Sequence, residues 1–264
     1  MNQLKLTETL AQIGPAAIAV SGGVDSMTLA YVASRSVPGY EIFHAISPAV
    51  PAQATERVKR YAKREGWSLN VIDAGEFDDP QYRANPLNRC YFCKTNLYGA
   101  IAGETSLPLL SGTNLDDLDD FRPGLGAADE FKVRHPFVEA GINKAAIRYI
   151  ARELDLTDLS ELPAAPCLSS RVETGIPIDA NELGLVERVE TLLTEQLGQV
   201  ALRCRVRKTG LCIEIDETLF ASMPQSTIKQ ITNDVRKRFV KNRYSISIEP
   251  YVRGSAFVGV KAHA

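Results

Sequence analysis

Short apolar runs alternate with helix-forming stretches through the first part of the chain. Ala16–Val20, Glu41–Ile46, Ser68–Asp73 and Leu107–Leu110 each read as a strand. Between them, Ser26–Ala33, Thr55–Glu65 and Lys94–Ala102 carry helical patterns, and Gly66 is placed to end the second of these in a left-handed conformation. Strands alternating with helices predict a parallel sheet covered on its faces by helices. Asn143–Leu154 is a further helix, with Ala146, Ile147, Ile150 and Leu154 on one face and Asn143 as its cap. Leu162–Cys167 is irregular, because each of its two prolines removes a backbone donor and restricts the residue before it.

Beyond Arg171 the pattern changes. Asn181–Leu197 reads as a helix, and Ala201–Lys208 and Leu211–Ile215 as a strand pair across a Lys208-Thr209-Gly210 turn. Ser226–Val240 is a helix and Tyr244–Ile248 a strand. The expected fold is α/β: a doubly wound, mostly parallel sheet over residues 1–171, then a smaller α+β domain over 172–264. Met1–Gly14 is short and mixed-polar.

Composition adds limits. A chain of 264 residues with 45% hydrophobic and 23% charged residues can bury two cores. Its net charge of -2 gives no argument for nucleic acid or a membrane surface as a global partner. No apolar run approaches the ~18–20 residues of a spanning helix. Met1–Gly14 lacks the basic and apolar regions of a signal peptide. A cytoplasmic protein is expected, whose five cysteines act as thiols, ligands or reactive groups before they act as disulfides.

Ligands of open α/β sheets sit beyond the carboxyl ends of the strands. That rule puts Ser21–Ser26, Ser47 and Ser111–Asn114 at one edge. Ser21-Gly22-Gly23-Val24-Asp25-Ser26 joins the first strand to the first helix of the sheet. Two glycines allow close backbone approach, hydroxyls flank them, and helical N–H groups point at whatever anion binds. No Gly-Lys-Ser/Thr follows and no G-x-G-x-x-G is present, so neither a P-loop nor a dinucleotide fingerprint is in place. The loop instead resembles that of the N-type ATP pyrophosphatases, which hold the β- and γ-phosphates there and cleave ATP to AMP and pyrophosphate.

Arg89-Cys90-Tyr91-Phe92-Cys93-Lys94 is a C-x-x-C opening a helix, and Cys167 stands between prolines and Leu168-Ser169-Ser170-Arg171. Three readings compete: a redox dithiol, a zinc site completed by His44 or His135, and an iron–sulfur cluster on three thiolates with one iron open. Cys204 and Cys212 fall in the strand pair and read as small core hydrophobes. Arg205 and Arg207 alternate along one strand, so both forks share a face suited to a phosphate or carboxylate, or lie on a solvated surface.

Four blocks together resemble the LarE family of ATP-dependent sulfur transferases, which help to build the nickel-pincer nucleotide of lactate racemase. They are Asn85–Lys94, Ser111–Asp117, Asp120-Phe121-Arg122-Pro123-Gly124 and Pro163–Arg171. The resemblance covers most of the chain. It implies ATP and Mg²⁺ as cofactors and a small mononucleotide substrate, pyridinium-3,5-biscarboxylic acid mononucleotide. A substrate carboxylate attacks the α-phosphate, pyrophosphate leaves, and a sulfur nucleophile then displaces AMP to give a thiocarboxylate. Ser21, Gly22, Gly23, Val24, Asp25, Ser26, Ser47, Gly112, Thr113 and Arg122 would hold the nucleotide, with Asp25 also catalytic. Ser170, Arg171, Glu190, Arg205, Arg207 and Glu214 would hold the substrate; Asp119 and Asp120 read as solvated charges.

Family members differ in their sulfur source. Some sacrifice the cysteine matching Cys167; others hold a [4Fe-4S] cluster on three cysteines that accepts sulfide from a donor. With Cys90, Cys93 and Cys167 this chain resembles the second kind. The segment between Arg207 and Glu214 is shorter than the family's usual one and lacks its histidines. A homo-oligomer is expected. A tRNA thiolase shares this chemistry, but no basic surface or RNA-binding appendage is visible. A non-catalytic ATP-binding iron–sulfur module would keep every motif.

Overall fold

The computed structural model describes residues 2–119, 122–164, 166–240 and 244–258. The chain divides into two compact units: Met1–Tyr82 with Asn88–Ala165, and Arg83–Leu87 with Pro166–Ala264.

The first unit begins with helix α1 (Asn2–Ile13). Strands β1 (Ala17–Ala19), β2 (Glu41–Ile46), β3 (Ser68–Asp73) and β4 (Leu109–Leu110) follow in the order β3-β2-β1-β4, every pair parallel. Helices α2 (Val24–Ser36) and α3 (Ala52–Glu65) connect the first three strands. The short α4 (Pro80–Arg83) and the longer α5 (Arg89–Glu104) precede β4. After it come α6 (Gly124–Glu130), α7 (Pro136–Glu139), α8 (Lys144–Glu153) and α9 (Thr157–Ser160). Gly66 does end α3, at φ 67°.

The alternation of side chains along a strand builds two cores. Ile18, Ile42 and Leu110 face one side, against Leu6, Leu10, Leu29, Tyr61 and Ile147 from helices α1, α2, α3 and α8. Ala17, Phe43 and Leu109 face the other, against Tyr98, Ile101 and Ala127 from α5 and α6. Helices thus cover both faces of an all-parallel sheet, as its near-continuous apolar strands require. The strand order reverses at β1, which has β2 on one side and β4 on the other. Such a reversal opens a crevice beyond the carboxyl ends of β1 and β4.

Two differences from the sequence reading appear here. Residues 2–13 form α1, which buries Leu6 and Leu10 completely, although the stretch carries no acidic first turn to announce it. Helix α5 starts five residues before Lys94, so both Cys90 and Cys93 lie on its opening turns.

In the second unit α10 (Ala180–Leu197) is capped by Asp179, whose side chain accepts from the Asn181 and Glu182 N–H groups. Strands β5 (Leu202–Arg207), β6 (Gly210–Ile215) and β7 (Ile246–Pro250) form a sheet, β5 antiparallel and β7 parallel to β6. Between β6 and β7 lie α11 (Glu217–Ser222) and α12 (Gln225–Val235). The helix expected over Ser226–Val240 therefore ends early, passing into a π-turn at Arg236–Val240, and the last strand lies two residues later than expected. Buried Asn85, at φ 52°, donates to the Glu173 and Ile176 carbonyls at 2.9 Å each and accepts at its own carbonyl from Gly175 N–H. This asparagine, together with the Ile178 N–H bond to the Arg83 carbonyl at 2.8 Å, ties the Arg83–Leu87 segment to the second unit.

Candidate functional site

The loop after β1 is shaped by close backbone packing. Gly22 sits at φ +80°, and a Cβ there would lie 2.7 Å from the Ala54 carbonyl oxygen. Arg57 of α3 reaches back and donates to the Gly22 carbonyl at 2.7 Å. Ser21 N–H donates to Ser26 Oγ at 3.1 Å, and the two hydroxyls are 3.2 Å apart. Gly23 precedes α2 without a side-chain cap, and the Val24 and Asp25 N–H groups have no acceptor among the described residues. An α-helix leaves its first N–H groups without intrahelical partners, and here they remain available to an anion.

The loop after β4 closes on the same helix end. A Cβ on Gly112 would lie 2.7 Å from the Ser26 nitrogen and 3.0 Å from the Asp25 carbonyl carbon. Beside it, Ser111 Oγ lies 2.9 Å from both Thr113 Oγ1 and His135 Nδ1. Asn114 caps a 3-10 turn at Leu115–Asp117, and Asp117 Oδ1 pairs with Arg122 at 2.6 Å. Ser47, half-buried after β2, accepts from Ala49 N–H at 3.2 Å. Asp120 and Phe121 lie outside the described residues, whereas Asp119 is exposed.

Asp25 is the charged centre of the loop. Its Oδ2 pairs with Lys144 Nζ at 2.5 Å, while its Oδ1 is buried with no hydrogen-bond partner. Burial raises its carboxyl above the ordinary value, and Lys144 opposes that shift. A carboxylate oxygen held out of water and left unpaired fits a divalent cation, and glycines 22 and 112 mark a cradle that side chains would fill.

His44 is no candidate ligand. Its Nδ1 lies 2.9 Å from the Val20 carbonyl and its Nε2 2.9 Å from Thr55 Oγ1, so both ring nitrogens are used. Burial pushes its pKa down, as it does that of His135. Cys90 is exposed and Cys93 half-buried in the first unit; Cys167 is exposed in the second. Among the described residues no group of three or more His, Cys, Asp or Glu side chains is gathered in metal-binding geometry. Cys204 and Cys212 are buried, and desolvation pushes both thiols up. Ala165, two residues before Cys167, lies outside the described residues.

Within the second unit the six expected substrate residues form one connected network. Glu190 grips Arg171 with two bonds, at 3.0 and 2.9 Å, and also accepts from Cys204 N–H at 2.9 Å. Arg171 donates to Ser170 Oγ, and Arg205 to the Ser170 carbonyl at 3.0 Å. Glu214 then joins both strand arginines, Arg205 at 3.0 Å and Arg207 at 2.7 Å. Arg205 and Glu214 are 4% and 1% exposed, which removes the solvated-surface reading of this strand. Arg207 is more open, and it also pairs with Glu249 at 3.2 Å.

Comparison with known proteins shows the family of the chain. No protein-family model matches the chain. It is 35% identical to "Uncharacterized protein slr1717" of Synechocystis over 236 residues, covering 87% of this chain and 84% of that protein. It is 31% identical to "Uncharacterized protein MJ0830" of Methanocaldococcus jannaschii, covering 76% and 78%. The chain belongs to the family of these two proteins. A more distant relative of this family member, 26% identical over 80% of the chain and 78% of the relative, is the pyridinium-3,5-bisthiocarboxylic acid mononucleotide synthase of Lactiplantibacillus plantarum. The family member is thus a distant homologue of a LarE-type synthase.

Two residues of this family member escaped the sequence reading. Arg57 and Lys144 both touch the Ser21–Ser26 loop, 35 and 119 residues along the chain from their partners there. Lys144 did leave a signal. A lysine in the first turn of a helix opposes the helix dipole, a placement that calls for a local carboxylate. No helix among the described residues is long and apolar enough to cross a membrane.

Proposed function

We propose that this protein is an ATP-dependent sulfur transferase. It adenylates a carboxylate of pyridinium-3,5-biscarboxylic acid mononucleotide and converts it to a thiocarboxylate, a step in making a nickel-pincer nucleotide. The observation that carries the reading is the uncapped N-terminus of α2, pressed between Gly22 and Gly112 where the strand order reverses. Distant homology to the L. plantarum synthase supports the substrate class.

In this reading the amides of the Ser21–Ser26 loop hold the β- and γ-phosphates, and Ser47, Gly112, Thr113 and Arg122 complete the nucleotide site. Asp25 would hold Mg²⁺, which when bound would supply positive charge against the phosphates. The loop amides are preorganised donors, so they meet the charge of the leaving pyrophosphate without rearranging. The substrate carboxylate oxygen bonds to the α-phosphorus as the bond to pyrophosphate breaks. A sulfur nucleophile then attacks the acyl carbon, and AMP leaves with the bridging oxygen. Arg207 and its neighbours Ser170, Arg171, Glu190, Arg205 and Glu214 hold the substrate's anionic groups. Thiolates at Cys90, Cys93 and Cys167 are the donor set a [4Fe-4S] cluster requires, and such a cluster would supply sulfide carried on iron. Homo-oligomeric assembly belongs to the same proposal.

Asp25→Ala and Ser26→Ala test the loop. Both are expected to abolish pyrophosphate release while the circular dichroism spectrum and melting temperature stay near wild type. Retained release in both variants would refute the assignment. ATP binding by wild type without pyrophosphate release, with the carboxylate substrate present, would instead favour a non-catalytic module.

A further inference from the structure

Lys144 is anchored at its backbone and ion-paired at its tip. Asn143 caps α8 by accepting from Ala146 N–H, and Asp116 Oδ2 accepts from the Lys144 backbone N–H at 3.1 Å. The side chain is 36% exposed and ends on Asp25 Oδ2. Arg148, the next cation near Asp25, is committed to the Ser160 and Leu162 carbonyls. Asp117, the nearby acid, is committed to Arg122. The Lys144 ammonium is therefore the group that balances Asp25, while Asp25 Oδ1 stays buried and unpaired.

We propose that Lys144 is a placeholder cation for Asp25. It occupies the carboxylate in the empty loop, so a divalent cation binds there only when phosphate arrives with it to take up the displaced ammonium charge. The inference rests on the loop being a nucleotide site, and it adds an order: bare cation is refused, nucleotide-borne cation is accepted. Lys144 sits on Oδ2 and a divalent ion at the unpaired Oδ1 would share the same carboxylate, so the two positive charges would repel strongly. The swing of a partly exposed lysine that relieves this is a small motion about an anchored backbone.

The test is Mn²⁺ titration of nucleotide-free protein, read by electron paramagnetic resonance. Lys144→Ala is expected to bind Mn²⁺ at least about tenfold more tightly than wild type, since one opposite charge at this range biases a carboxylate by that much or more. Lys144→Arg, which keeps the charge, is expected to stay near wild type. Lys144→Met serves as a second neutral variant, and thermal melts check that each is folded. Adding Asp25→Asn to Lys144→Ala is expected to abolish the gain. Mn²⁺ affinity unchanged or weakened in both folded neutral variants overturns the proposal. So does a gain that survives Asp25→Asn. Separate titration of wild type with Mg²⁺ and a non-hydrolysable ATP analogue tests the nucleotide reading, whose failure would show as no binding whatever the Mn²⁺ result.

Discussion

Gly112 lies against Ser26 so closely that a Cβ on it would stand 2.7 Å from the Ser26 nitrogen and 2.9 Å from its Cα. The atoms it would strike are backbone at the start of a helix, which cannot rotate away as a side chain can. Gly112→Ala is therefore expected to displace the first turn of α2 or the loop after β4. The cost should be about 1–3 kcal/mol of stability, the usual range for overpacking, with a fall in ATP affinity greater than that stability loss alone explains. Urea melts and calorimetric titration with the ATP analogue check this. Wild-type stability and affinity would show that the contact yields without consequence.

The arginines of β5 separate by burial. Glu214→Gln leaves Arg205 as a buried charge without its carboxylate, and breaking such a pair typically costs about 3–5 kcal/mol. Arg207 is 23% exposed and shares its charge between Glu214 and Glu249, so Arg207→Ala should be far milder in chemical denaturation. Its effect should fall on substrate affinity rather than on ATP affinity. Equal loss of both affinities, or no loss, would make Arg207 a structural charge.

Stability should decline as the solution is acidified from pH 7.5 to 5.5. Burial holds His44 neutral below its ordinary range, with His135 shifted the same way. Because the folded pKa lies below the unfolded one, the contribution is complete above about pH 6.5 and is lost as pH falls toward the folded value. The slope per histidine cannot exceed about 1.4 kcal/mol per pH unit. Urea melts across this window, compared with a His44→Gln variant, should show a shallower slope in the variant. An identical slope would remove His44 from the account.

Sulfur chemistry divides on the cysteines. With a cluster on all three, replacing any one of Cys90, Cys93 or Cys167 by Ala removes the brown absorbance and sulfur transfer, and pyrophosphate release survives. With a sacrificial thiol, only Cys167→Ala stops transfer, and wild type loses about 34 Da as cysteine becomes dehydroalanine. Intact-mass spectrometry after one turnover of anaerobically purified protein distinguishes the two. An iron-free, fully active enzyme carrying dehydroalanine at position 167 would overturn the cluster.

Local features of this chain were written in its sequence. β2 and β3 begin and end where their apolar runs do, and Gly66 and Asn143 cap the helices they flank. The Ser21–Ser26 loop is legible for the same reason: strand, glycine turn and helix start are consecutive, so short-range sterics decide them. α1 was not, because only Leu6 and Leu10 along it are buried and their burial depends on helices packed later in the chain.

Tertiary structure alone decided the charges. Asp25 and Lys144 are 119 residues apart in sequence, and no periodicity links them. The alternation of Arg205 and Arg207 gave their shared face, but whether that face met water or Glu214 depended on β6 and β7 folding beside it. A charged side chain carries no local signal of its burial. Its surroundings come from distant segments, and desolvation is set by all of them together.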